Sequence, residues 1–207
     1  DAYLKHCMGA AEAFRVSYEE VQHHYTLYYY DQANNLVKTV PPAGVTPLNG
    51  PQIVQVGQHR SGIKVSPVYP AHTLTSRYRY NSLNQLVWQK IPDHSLEDLF
   101  FYDGLGRLVA SINGKQRLIS GGYHFSYTRY DGLGRIVEVG QTKLPIPAGS
   151  TYAAFLVSLR VKARDYKTWD TYVTGGTRTE ITRTLYDIGG STQKNLRGRV
   201  SSVTWMP

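Results

Sequence analysis

From residue 25 onward the apolar and aromatic side chains come in short runs of strand length, punctuated by Asp, Asn and Gly. The segment His124-Phe125-Ser126-Tyr127-Thr128-Arg129-Tyr130 is rich in aromatic and β-branched residues, and Phe125 and Tyr127 fall on one face because strand side chains alternate. A second run, Arg135-Ile136-Val137-Glu138-Val139, follows after four residues, Asp131-Gly132-Leu133-Gly134. The pair predicts a β-hairpin. Strand character resumes over 180–186, where Ile181 alternates with Thr182. Helical spacing is confined to two places. Ala11, Phe14, Tyr18, Val21 and Tyr25 predict a helix near 9–23, and Ala163, Tyr166, Trp169, Tyr172 and Val173 predict one near 161–173 with Gly175 as its C-terminal cap. Two Pro/Gly-rich stretches, 41–72 and 144–150, read as long connections, the first with a short strand at Gln52–Val56. The expected organisation is a helical segment at 1–24 and a β region at 25–207.

The hairpin is not unique. Tyr102-Asp103-Gly104-Leu105-Gly106-Arg107-Leu108-Val109 returns as Tyr130-Asp131-Gly132-Leu133-Gly134-Arg135-Ile136-Val137. Weaker copies begin at Tyr30-Asp31, at Tyr80-Asn81 and at Tyr186-Asp187, the last with an insertion before Arg197-Gly198-Arg199-Val200. The successive tyrosines stand 50, 22, 28 and 56 residues apart, so each outer gap holds the equivalent of one replaced unit. A chain built of repeats is read first as scaffold. Asp31, Asp103, Asp131 and Asp187, with Asn81 in the same slot, are expected to hold the turns by accepting backbone N–H bonds from two and three residues on. Gly106 and Gly134 are expected to supply a positive φ, with Asn34 or Asn35 and Asn84 standing in for them. Tyr30, Tyr80, Tyr102, Tyr130 and Tyr186 are expected to pack between adjacent hairpins, and Arg107 and Arg135 to reach a neighbouring repeat's carboxylate or backbone. Leu105 and Leu133, apolar at the turn tips, are expected to tuck against the next hairpin.

These Tyr-(Asp/Asn) units, with Gly-Arg-Leu and Gly-Arg-Ile in the two best copies, resemble the tyrosine–aspartate (YD) repeats of the Rhs family of very large secreted proteins. The run from Leu27 through Pro41-Pro42 to Val45 is similar to the form found in Bacteroidetes-type members. The resemblance covers roughly residues 25 to 205. It implies a mainly β fold in which successive antiparallel hairpins form a curved sheet, part of a shell that encloses a C-terminal toxin or effector cargo, or of an adhesion receptor. It also implies secretion or display at the cell surface, flanking repeats and cargo as partners, no cofactor and no catalysis by the repeats themselves. The paired Asp-Pro motifs of the family's self-cleaving core are absent, so no autoproteolysis is carried over. The chain runs from Asp1 to Pro207 with no tail or cap and is expected to be a piece of a longer polypeptide, with an exposed sheet edge that invites edge-to-edge self-association.

Composition adds little against this reading. Seventeen tyrosines against five phenylalanines suit strands with one apolar and one wet end. The net charge of +8 comes from scattered Lys and Arg without runs of three, which favours a basic surface over nucleic-acid binding. The single cysteine, Cys7, excludes an internal disulfide, and no apolar run is long enough to span a membrane. His6-Cys7 and His23-His24 lack the spacing of a metal site. Asp93-His94-Ser95 holds hydrolase residue types, but neighbours in sequence cannot form a triad, and a turn after Pro92 is expected. Asp103 and Asp131 occupy one slot of equivalent turns, which explains both without acid–base chemistry. The alternative function is surface adhesion or carbohydrate binding, with Trp88, Trp169 and Trp205 as the glycan-contact aromatics.

Overall fold

A computed structural model of the chain describes residues 2–3, 17, 25–63, 66–187 and 197–207. The helix expected near 9–23 lies outside the described residues apart from isolated positions. The rest is mainly β: ten antiparallel strands in one open sheet, each hydrogen-bonded to the strands next to it in sequence. They are β1 (Leu27–Tyr30), β2 (Leu36–Val40), β3 (Ser76–Tyr80), β4 (Leu86–Lys90), β5 (Asp98–Tyr102), β6 (Leu108–Ile112), β7 (Tyr123–Tyr130), β8 (Ile136–Leu144), β9 (Thr177–Tyr186) and β10 (Val200–Met206). Each repeat turn joins an odd strand to the following even strand, so all five turns lie along one rim of the sheet. The four connections between hairpins lie along the opposite rim, and they carry the helices: α1 (Gly50–Arg60), α2 (Gly114–Leu118), α3 (Tyr152–Arg164) and α4 (Tyr166–Thr174).

The core forms where α3 and α4 cover one face of β5–β8. Along one row of that face large and small residues alternate from strand to strand: Phe101 lies opposite Ala110, Ala110 opposite Tyr127, and Tyr127 opposite Gly140. Gly140 is needed for space, because a Cβ there would stand 3.0 Å from the Tyr127 hydroxyl and 3.2 Å from its ring. Phe125 fills the next row against Phe155, Trp169 and Tyr172, with ring centroids 6.0–6.4 Å apart. The helices are also fixed by polar contacts. The Trp169 indole N–H donates to the Thr128 carbonyl (3.1 Å), and Gly104 N–H donates to the carbonyl of Arg164 at the end of α3 (3.2 Å). This helix-end carbonyl would otherwise lack a partner.

Three expectations are corrected here. Gln52–Val56 is helical: Asn49 and Gln52 form a capping box, Pro51 sits in the first turn where its missing N–H is harmless, and the local cap outweighs the β-branched run. The single helix near 161–173 is two helices. Asp165 takes extended dihedrals (φ −112°, ψ 120°) and ends α3, while its carboxylate accepts the Thr168 N–H at 3.1 Å and starts α4. Gly175 does end α4, in right-handed rather than left-handed geometry. The turn-tip leucines do not tuck: Leu105 and Leu133 are 79% and 77% exposed.

Phe125 and Leu133 therefore separate core from rim. Phe125→Ala is expected to lower the unfolding free energy by about 3–5 kcal/mol, whereas Leu133→Ser is expected to stay within about 0.5 kcal/mol of wild type. Urea denaturation of both variants checks the assignment.

Candidate functional site

The first four turns share one construction. In the third hairpin Asp103 N–H bonds to the Arg107 carbonyl (3.0 Å), and Gly106 N–H bonds back to the Asp103 carbonyl (3.1 Å). One Asp103 carboxylate oxygen accepts the N–H groups of Leu105 and Arg107, both at 2.9 Å, so the side chain reaches residues two and four on rather than two and three. Asp131 repeats these bonds with Leu133 and Arg135, Asn81 with Leu83 and Gln85, and Asp31 with Ala33 and Asn35. The residue before the closing position always has positive φ: Asn34 (63°), Asn84 (57°), Gly106 (80°), Gly134 (80°) and Gly198 (73°). A β-turn followed by a left-handed residue is a favoured hairpin connection. The fifth turn keeps the bracket although its loop is longer, with Asp187 N–H bonding to the Arg199 carbonyl at 3.2 Å. Directly after each turn the second strand carries a β-bulge, at Val37, Val87, Val109, Val137 and Ser201.

The hairpins are then joined by the repeat tyrosines. The phenol of Tyr80 donates to the Leu36 carbonyl (3.0 Å), Tyr102 to Leu86 (2.9 Å), Tyr130 to Leu108 (2.8 Å) and Tyr186 to Ile136 (3.0 Å). In each case the acceptor opens the second strand of the preceding hairpin. Burial pushes the Tyr80, Tyr102 and Tyr130 phenols up, which keeps them protonated donors. Tyr30, in the first described hairpin, meets no preceding hairpin among the described residues and is exposed.

The closing residue of each of the first four turns reaches forward to the next hairpin. The Arg107 guanidinium lies 4.4 Å from the Tyr130 ring centre while its Nε bonds to Asp103 (2.7 Å). Arg135 lies 4.3 Å from the Tyr186 ring centre, bonds to Asp131 (2.7 Å) and pairs with Asp187 across the junction (2.8 Å). Gln85 donates to the Gly106 carbonyl (2.7 Å), and Asn35 donates to the Asn84 side chain (3.1 Å). Register is the same at every junction: Lys38 faces Arg77, Trp88 faces Leu99, Ala110 faces Tyr127 and Glu138 faces Arg183. In every pair the second residue after the acceptor lies opposite the third residue before the next tyrosine.

At the last junction the lock has become ionic. Glu138, 3% exposed, accepts from Tyr127 (2.8 Å), Arg178 (2.7 Å) and Arg183 (2.6 Å), with Arg129 at 3.3 Å. Arg129 turns to Asp170 on α4 and so ties the sheet to the helix layer. Burial alone would raise the Glu138 carboxyl, but the bonds from Arg183 and Tyr127 and the charges of Arg129 and Arg178 hold it at about 2. Burial and the Glu138 carboxylate push the Tyr127 phenol up to about 12. No short motif announces this cluster, since Arg178 and Arg183 lie 40 and 45 residues from Glu138 although Tyr127 and Arg129 sit across its own hairpin; a Glu at a strand position between Val137 and Val139 is the one available signal.

The three tryptophans do not meet. Trp169 is buried (3% exposed) beneath the helix layer, Trp205 is exposed (64%) on β10, and Trp88 lies on β4 with the Arg79 guanidinium over its ring. A groove of about 920 Å³ holds none of them. It runs between α3, α4 and the loop after β8, floored by Tyr123, Phe155 and Tyr172 and edged by Lys162 and Lys167 without any carboxylate. Such a lining offers aromatic and cationic contacts. The Asp93-His94-Ser95 segment is a turn, where His94 faces the Leu96 carbonyl (2.5 Å) and Asp98 (3.7 Å). Among the described residues no group of three or more His, Cys, Asp and Glu is arranged to hold a metal, and no helix is long and apolar enough to cross a membrane. Compared with known proteins, the chain matches no family model and no curated sequence.

Two outcomes test this construction. Gly134→Val places a β-branched residue at positive φ and is expected to destabilise the chain by more than about 1 kcal/mol; an unchanged melting temperature refutes the turn role. Glu138 titrates lower in the folded chain than in the unfolded one, where its value is 4.5, so its stabilisation is complete above that pH and is lost as pH falls through about 2. Over that acid range wild type is expected to lose of order 3 kcal/mol more than Glu138→Gln. Equal acid losses in urea titrations of the two proteins would remove Glu138 from the account.

Proposed function

We propose that this chain is a non-catalytic wall segment of the Rhs/YD-repeat type, contributing a ribbon of hairpins to a shell around a C-terminal toxin or effector cargo, outside the cell or at its surface. The observation that carries the reading is the junction itself. The same tyrosine-to-carbonyl bond closes four times in one register, and a lock of that kind adds units without a built-in stop. The polar residues of the repeats are engaged in turns and junctions, where Asp103 and Asp131 bond backbone N–H groups and their own Arg. They are spent on architecture, which supports a scaffold over an enzyme. The adhesion or carbohydrate-binding alternative draws no support from the scattered tryptophans.

The test uses the longest natural polypeptide that contains the ribbon. The expected result is that the segment following the repeats resists protease while the ribbon is folded and is cut once the ribbon is unfolded. Equal cleavage in both states overturns the shell. In parallel, a glycan array probed with the folded chain is expected to show no retention; retention abolished by Trp205→Ala would move the function to carbohydrate binding.

A further inference from the structure

The groove between α3 and α4 is charged at one end only. Ala154, Ser158 and Lys162 stand four residues apart on α3, so they share one face, and all three border the groove. Thr168, Thr171 and Tyr172 border it from α4. Small side chains on both walls leave the space open above a floor of rings, where Tyr123 stacks on Phe155 with centroids 4.1 Å apart and planes 9° from parallel. The helices meet at Asp165, and the two lysines flank that elbow, Lys162 in the last turn of α3 and Lys167 in the first turn of α4. The far end, at Leu144, Pro145 and Pro147, brings no charged residue to the lining. Lys162 is half-buried and makes no ion pair among the described residues. The nearby carboxylates are engaged outside the groove: Asp165 accepts from the Thr168 N–H and hydroxyl and feels the Lys167 charge, and Asp170 pairs with Arg129.

We propose that this groove binds an amphiphile with a single anionic head, a free long-chain carboxylate, with its head at Lys162 and Lys167 and its chain laid over Tyr123 and Phe155 toward Leu144 and Pro147. The distribution of charge selects this class. A carboxylate at the elbow meets two ammonium groups, and a charge-assisted hydrogen bond there is stronger than a neutral one. An apolar tail displaces water from the ring floor, which is favourable in proportion to the area covered. Ala154 to Lys162 spans about 12 Å of helix, a run that a small inorganic anion would leave empty and an acyl chain fills. A cationic amphiphile would meet the lysines with like charge, and a sugar has no apolar chain to lie on the rings. The inference is independent of the shell reading. It concerns the helix layer rather than the repeat junctions, and its failure leaves the shell to be judged by protease protection.

The test titrates the full chain with sodium dodecanoate, kept below the concentration at which it forms micelles, by isothermal calorimetry. Saturable binding of a single equivalent is expected, with dodecylamine bound at least about tenfold more weakly. Decanoate, two methylenes shorter, is expected to bind about tenfold more weakly than dodecanoate. Lys162→Gln combined with Lys167→Gln is expected to weaken dodecanoate at least about tenfold at unchanged melting temperature. Ala154→Trp and Thr171→Trp each put a ring into the groove from an exposed wall position, one on each helix, and either is expected to abolish binding. With two filling variants, misfolding of one still leaves a decisive result from the other. Absence of saturable binding overturns the inference. So does dodecylamine binding as tightly as dodecanoate, or a double Gln variant that binds like wild type. A concentration-dependent dimer that is lost on Ala154→Trp would give the groove to a second copy and overturn it as well.

Discussion

A phenol that reaches back to a carbonyl of the hairpin before it sets the geometry of this molecule. The bond from Tyr130 to Leu108, 2.8 Å long, is made where Ala110 faces Tyr127. A slip of one residue at a junction would turn every side chain of the strand to the other face. Phe125 and Tyr127 would leave the core and Glu138 would face water. The turn contributes to the same end. A left-handed residue at Gly106 or Gly134 closes the loop, the bulge follows at Val109 or Val137, and the next strand begins at a fixed place relative to its tyrosine.

The lock does not hold all parts of the sheet equally. Helices α3 and α4 bury one face of β5–β8, and the Glu138 cluster binds β7, β8, β9 and α4 together through Tyr127, Arg178, Arg183 and the Arg129–Asp170 pair. Among the described residues the first two hairpins have no comparable cover; Tyr28, Tyr30 and Leu83 stand exposed there. Among the described residues burial is therefore concentrated at β5–β8, and the strands at either end of the sheet carry fewer apolar contacts to resist local opening.

Hairpins were legible because their determinants are local. Tyr, Asp, Gly and Arg recur at fixed spacing, and each has a backbone reason to stand where it does. The meander of strands follows from that recurrence. The helices were less legible where local capping competed with composition: Gln52–Val56 looks like a strand until Asn49 and Gln52 are seen as a cap, and Asp165 looks like a helix interior until its carboxylate is seen to start α4. The forward contacts of Asn35 and Gln85 were hidden by substitution, since neither resembles Arg although both occupy its slot. The Glu138 cluster was out of reach for another reason. Two of its arginines come from a strand 40 and 45 residues on, and nothing in a sequence shows which arginines converge.

The fifth turn carries a consequence of its own. Asp187 and Arg199 close it with eleven residues between them, where Asp103 and Arg107 close theirs with three. The same closing pair of an Asp N–H and an Arg carbonyl thus brackets segments of very different length. Lengthening a flexible loop adds only about 0.6 kcal/mol per doubling. The fifth turn, between Asp187 and Arg199, is therefore the place on this rim where evolution or an engineer can vary the inserted sequence while the closing pair is kept.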